Sequence, residues 1–122
     1  MMEEYKTSAA NNKDRRIFAR IPIKLHLRFS KKDEEDINEA ITVDISANGV
    51  GFISKAKLSS DTTLEMWLDL DIDGVLRPLY IKGKVIWSKG LENENQQWRT
   101  GVCFEETNLM KFNRIFTRIN TI

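Results

Sequence analysis

The chain has 122 residues, 41% hydrophobic and 30% charged, with one cysteine, one histidine and a net charge of +1. That length supports one domain with a core of its own, while a lone Cys103 and a lone His26 exclude a disulfide framework and the usual zinc sites. No apolar run approaches the roughly 20 residues of a membrane span and no signal-like stretch opens the chain, so a soluble cytoplasmic domain is expected.

Residues 1–14 (MMEEYKTSAANNKD) lack apolar periodicity and read as a tail. Pro22 steers Ile21 away from helical geometry, so residues 15–22 form a loop or extended segment. Ile23, Leu25, Leu27 and Phe29 then alternate with Lys24, His26 and Arg28, which predicts a half-buried first strand. After a charged loop, the shared parity of Ile37, Ile41, Val43 and Ile45 predicts a second strand with those residues inward and Asp44 and Ser46 outward. Asn48-Gly49 predicts a turn through tolerance of positive φ, and a short third strand covers residues 50–54.

The fourth strand has the cleanest alternation. Leu64, Met66, Leu68, Leu70 and Ile72 face one way; Glu65, Trp67, Asp69, Asp71 and Asp73 face the other. Asp73-Gly74 closes a hairpin onto a fifth strand that Pro78 opens, with Leu79, Ile81, Val85 and Trp87 inward and a bend at Gly83. A sixth strand covers residues 97–104. Leu109, Phe112, Phe116 and Ile119 then fall at helical spacing behind an N-cap at Thr107 or Asn108. Six short strands and one amphipathic helix point to an all-β fold, an antiparallel barrel of about residues 23–105 with a C-terminal helix of about residues 107–120.

The net charge conceals an asymmetry: residues 1–30 carry +4 and the remainder −3. The basic front suits an anion, whereas the acidic body is unlike a nucleic-acid-binding surface. Enzymatic constellations are absent. His26 has no carboxylate at motif spacing and reads as a solvated strand residue; Cys103 reads as a small hydrophobe without a thiolate-stabilising neighbour. Asp69, Asp71 and Asp73 repeat along one strand face and lack the glycine and glutamate of a calcium loop. No metal site is expected.

Two segments carry more chemistry. Arg15, Arg16 and Arg20 set three guanidinium forks within six residues, and such forks bind phosphate oxygens in pairs, match the guanine O6/N7 edge and stack on purines. Asp44 and Ser46 place a carboxylate and a hydroxyl at a strand end, able to take a guanine N1–H and N2–H₂, with Gly49 leaving room for a ligand over the backbone. Each segment alone is equally an ordinary solvated anchor or a turn bonded to its own backbone. Together they match a ligand with two guanines and two phosphates.

In this order and spacing, Arg16-Ile-Phe-Ala-Arg20 and Asp44-Ile-Ser46-Ala-Asn48-Gly49 resemble the RxxxR and [DN]xSxxG patterns of the PilZ domain, the bacterial receptor module for cyclic di-GMP. Trp98-Arg99-Thr-Gly101-Val-Cys-Phe104 is similar to the family's last strand. The resemblance covers residues 15–120 and implies a six-stranded PilZ-type barrel with a C-terminal helix. It also implies a cyclic di-GMP receptor or adaptor, not an enzyme, needing no cofactor. Arg15, Arg16, Arg20, Asp44, Ser46 and Gly49 would contact the nucleotide, with Asn48, Trp98 and Arg99 as further contacts. An arginine at the place of Arg15 implies two ligand molecules per chain. The output would pass to a downstream protein partner, from a monomer or weak homodimer. The tail and arginine loop are expected to order on binding, and Trp67, Trp87 and Trp98 are candidate aromatics near the ligand, with barrel packing expected of Trp87. The rival readings are a single-stranded nucleic-acid-binding barrel and a PilZ-like interaction module that binds no nucleotide.

Overall fold

The computed structural model describes residues 20–92 and 95–105. It contains β1 (Ile21–Pro22), β2 (His26–Lys31), β3 (Asn38–Ser46), β4 (Gly49–Ser54), β5 (Thr63–Ile72), β6 (Val75–Gly90) and β7 (Trp98–Phe104). Six of them close a ring in the order β3-β2-β5-β6-β7-β4, with β4 pairing back onto β3 and every pairing antiparallel. The fold is therefore an all-β, six-stranded antiparallel barrel. Closure pairs each of the six strands on both sides within the ring, beyond which the β5–β6 hairpin extends. The two-residue β1 lies outside it, on the stretch of β3 that β2 does not reach. The expected tail, most of the arginine loop (with Arg15 and Arg16) and the expected C-terminal helix lie outside the described residues.

The inner side chains follow the alternation where strands are regular. Leu27 and Phe29 of β2, Val50 and Phe52 of β4, and Leu64, Met66 and Leu68 of β5 are fully buried. Phe29 and Phe52 meet inside the barrel, beneath β3, with ring centroids 5.1 Å apart. The Asp73-Gly74 hairpin forms as expected, both residues at positive φ (54° and 82°), and the Asp71 carboxylate accepts the Gly74 N–H at 2.9 Å. β6 begins at Val75, three residues before Pro78. Pro78 pairs with Asp69 in a stretch where β6 has β5 alone as neighbour, because β7 joins only at Gly83. A proline is tolerated there since the missing N–H faces no second strand.

Two irregularities overturn simple parity. In β3 the register slips between Thr42 and Asp44, so Ala40 and Thr42 point inward below the slip and Ile45 above it, leaving Ile37 and Ile41 exposed. Thr42 can be buried because its hydroxyl donates to the Ile23 carbonyl (2.6 Å) and accepts the Leu25 N–H (2.8 Å). In β6 the slip falls between Val85 and Trp87, not at Gly83. Trp87, expected in the core, is consequently on the outside and 43% exposed. Gly83 answers a packing need: a Cβ there would lie 2.5 Å from Val102 Cγ1 and 2.9 Å from Met66 Cε.

Candidate functional site

The slip in β3 turns Asp44 outward, opposite Gly51 of β4, which in turn pairs with Gly101 of β7, which pairs with Trp87 of β6. One transverse row of the outer wall therefore reads carboxylate, glycine, glycine, indole. Neither glycine carries a side chain, so the side chains of Trp87 and Asp44 can lean over the backbone between them. A Cβ at Gly101 would fall 2.6 Å from the Trp87 ring, so the indole lies directly against that backbone. At Gly51 it would fall 3.0 Å from Asp44 Oδ1 and 3.9 Å from Arg20 Nη2.

Arg20, next to β1, donates from Nη2 to Asp44 Oδ1 at 2.9 Å. β1 pairs Pro22 with Asp44, which is what delivers the preceding arginine to this carboxylate. Arg99 of β7 approaches from the other side, its Nη2 3.8 Å from Asp44 Oδ2. The Asp44 side chain is 17% exposed, against 53% for Arg20 and 43% for Arg99. The carboxylate is thus sheltered and the two cations open to solvent. Such a charge-assisted pair is shaped for exchange with another anion or another donor.

The sequence-expected Ser46 and Gly49 are placed differently from expectation. Ser46 is fully buried rather than outward, and its hydroxyl donates to Asn48 Oδ1 at 2.6 Å while accepting the Asn48 N–H at 3.3 Å. The serine hydroxyl shapes the tight turn between β3 and β4. Neither Asn48 nor Gly49 takes positive φ. Gly49 is required by crowding instead, because a Cβ would sit 2.5 Å from the Val102 carbonyl oxygen. Trp98 lies away from Asp44, stacked over Gly90 and beneath the Lys57 ammonium, 5.3 Å from its ring centroid. Trp67 packs on Tyr80. Cys103 is exposed rather than packed as a hydrophobe. The site thus gathers Arg20, Asp44 and Arg99 with the Gly51–Gly101 row. It adds Trp87, which parity had assigned to the interior; only the β6 slip reveals it.

A second polar cluster crosses β3, β2 and β5, and it corrects the reading of His26 as merely solvated. His26 Nδ1–H donates to Asp69 Oδ2 at 2.8 Å and Nε2–H to Glu39 Oε1 at 2.9 Å, while Arg28 Nη2 donates to Asp69 Oδ1 at 3.2 Å. The cluster borders an open groove of about 500 Å³ whose floor includes Ile37, Ile41 and Ile53. Both ring nitrogens can donate only in the imidazolium form. The Asp69 hydrogen bond first, and the Glu39 one second, hold the His26 pKa above its ordinary 6.5. A raised folded-state pKa makes the contribution of this cation to stability complete below about pH 6.5 and lost as pH climbs through the folded value. An NMR titration of the His26 ring should therefore give a midpoint above 6.5 that drops in Asp69→Asn; a midpoint at or below 6.5 in the parent contradicts the contacts.

The fold and site define a small β-barrel module whose outer wall carries an arginine-bound carboxylate, Asp44, beside the Gly51–Gly101 row. Residues 14–118 match the PilZ domain family model, and the chain belongs to that family. Solved structures agree on the fold. The Bacillus subtilis inhibitor of motility MotI/DgrA superposes with a TM-score of 0.67 at 13% identity, over 84% of this chain and 51% of that one, so this chain spans about half its length. The PilZ domain of CeSA from a cellulose-synthesizing bacterium gives 0.52 at 24% identity, covering 75% of this chain and 84% of that one. The PilZ domain of Escherichia coli YcgR, solved with c-di-GMP, gives 0.58 at 13% identity, covering 77% and 80%. No curated protein matches the sequence. Among the described residues no helix is long and apolar enough to cross a membrane.

Proposed function

We propose that this protein is a cyclic di-GMP receptor of the cytoplasm that signals through a protein partner. The observation that carries the reading is the Arg20–Asp44 pair seated over Gly51. Asp44 is the acceptor for a guanine N1–H and N2–H₂; Arg16 and Arg20 are the donors for phosphates and the guanine Hoogsteen edge. The Trp87 indole, lying flat over Gly101 beside the Arg20–Asp44 pair, offers a guanine ring an aromatic face to stack on. Ser46 and Gly49 act by holding the turn beside Asp44. The YcgR domain, of the same fold, binds this nucleotide; the likeness to an inhibitor of motility supports an adaptor rather than a catalyst.

Calorimetric titration tests the reading. The parent should bind cyclic di-GMP, with two molecules per chain where Arg15 joins Arg16 and Arg20 in a stacked ligand pair. Arg16→Ala and Arg20→Ala should each weaken binding by about 1.5–3 kcal/mol, the worth of a hydrogen bond to a charged group. Amide exchange across residues 10–22 should slow at saturation. Parent-like affinity in both variants rejects the assignment, and a stoichiometry of one rejects the stacked pair alone.

A further inference from the structure

Asp44 has two oxygens and two arginines, and the arginines are held very differently. Arg20 adjoins the two-residue β1, which has β3 as its single strand partner, and binds Oδ1 directly at 2.9 Å. Arg99 sits inside β7, paired with Ile53 of β4 on one side and Lys89 of β6 on the other, so its backbone is fixed by the ring. Its Nη2 stands 3.8 Å from Oδ2, beyond a hydrogen bond, and its Nε is enclosed with no hydrogen-bond partner among the described residues. An enclosed donor without an acceptor is costly, and a small swing of the same guanidinium brings Nη2 within hydrogen-bond distance of the carboxylate.

We propose that ligand capture at this site is a partner exchange in which Arg99 is the positioning residue. Arg20 leaves Asp44 for the anionic ligand. Arg99 closes its 3.8 Å gap, takes over Oδ2, and keeps the carboxylate ionised and aimed across Gly51 while Oδ1 is freed for the incoming donor. Without Arg99 the carboxylate would lose every cation at the moment it must present a fixed acceptor, and it would bind guanine donors less well. The ligand half of this inference rests on the nucleotide reading above; the exchange of partners on Asp44 does not.

The two halves are tested separately. In ligand-free Arg20→Ala, which imitates the departure of Arg20, Arg99 should lock onto Asp44. Side-chain ¹⁵N NMR should show slowed rotation about the Arg99 Nε–Cζ bond relative to the parent, and the further change Asp44→Asn should restore parent-like rotation. Unchanged rotation in Arg20→Ala overturns the exchange. In titrations with cyclic di-GMP, Arg99→Gln should weaken binding roughly tenfold and Arg99→Lys by less. Asp44→Asn should cost far less in the Arg99→Gln background than in the parent, since the two act through one contact. Additive losses, or parent affinity in Arg99→Gln, overturn the positioning role. A parent that binds no cyclic di-GMP, yet shows the locked Arg99 in Arg20→Ala, rejects the nucleotide reading and leaves the exchange standing.

Discussion

Phe52→Ala should cost about 3–5 kcal/mol of folding stability, among the largest effects expected of a single truncation in the barrel. Phe52 is fully buried, comes from β4, and lies against Phe29 of β2, the strand on the other side of β3. Its strand bonds to β3 on one side and β7 on the other. Around it the buried polar groups are already paired: Thr42 to Ile23 and Leu25, and Thr100 to Ser88 at 3.0 Å. A closed ring cannot collapse around a missing ring as two separate layers can, so most of the cavity should persist. Set against the 5–15 kcal/mol typical of a domain, that loss is decisive. Urea denaturation should show the drop as a lower midpoint at constant slope. Phe52→Leu should retain more than half of the parent stability difference, and a loss below about 1 kcal/mol for the alanine variant would mean the barrel is not closed over this side chain.

Asp44→Ala should remove the proposed nucleotide site while sparing the fold. The side chain points outward above the β3 slip, so its loss opens no cavity. An ion pair whose arginine is half exposed contributes little to stability. To a guanine, however, the carboxylate is the charged acceptor beside Gly51. Its removal also leaves Arg20 and Arg99 facing each other without a counter-charge. The expected loss in affinity for cyclic di-GMP is about 10- to 150-fold, corresponding to roughly 1.5–3 kcal/mol. Calorimetry paired with a thermal melt separates the two effects. A large fall in melting temperature with retained affinity would make Asp44 a structural residue.

The comparison with the sequence turns on where the strands are regular. β5 was legible residue by residue, because Leu64, Met66 and Leu68 alternate with polar neighbours and a positive-φ Asp-Gly pair ends the run. β3 was not. Its isoleucines mark one parity, but the slip after Thr42 splits the strand into two phases, and a threonine bonded to Ile23 and Leu25 takes a core place that hydropathy gives to Ile41. A bulge leaves no composition signal, so Trp87 was misplaced for the same reason. Asp44 and Arg20 were legible through their spacing to Ser46 and Arg16, whereas the inward turn of Ser46 depends on a local bond to Asn48 that spacing does not encode. The glycine row could be named only once register was known, since Gly51 and Gly101 are 50 residues apart in the chain and adjacent in the sheet.

The short reach of β1 has one more consequence. It joins the molecule through the pairs Ile21–Ile45 and Pro22–Asp44, with the Ile23 N–H on the Val43 carbonyl, and none of these lies in the ring of six strands. Peeling it away breaks a few bonds that are not among the pairings of the ring itself. Its opening is therefore a local fluctuation, governed by a far smaller free energy than global unfolding. On the proposed reading, in which Arg20 meets the ligand, affinity is adjustable by substitutions in β1 without drawing on the stability of the barrel, and core substitutions can accumulate without changing affinity. The two properties sit in separate cooperative units of one small chain.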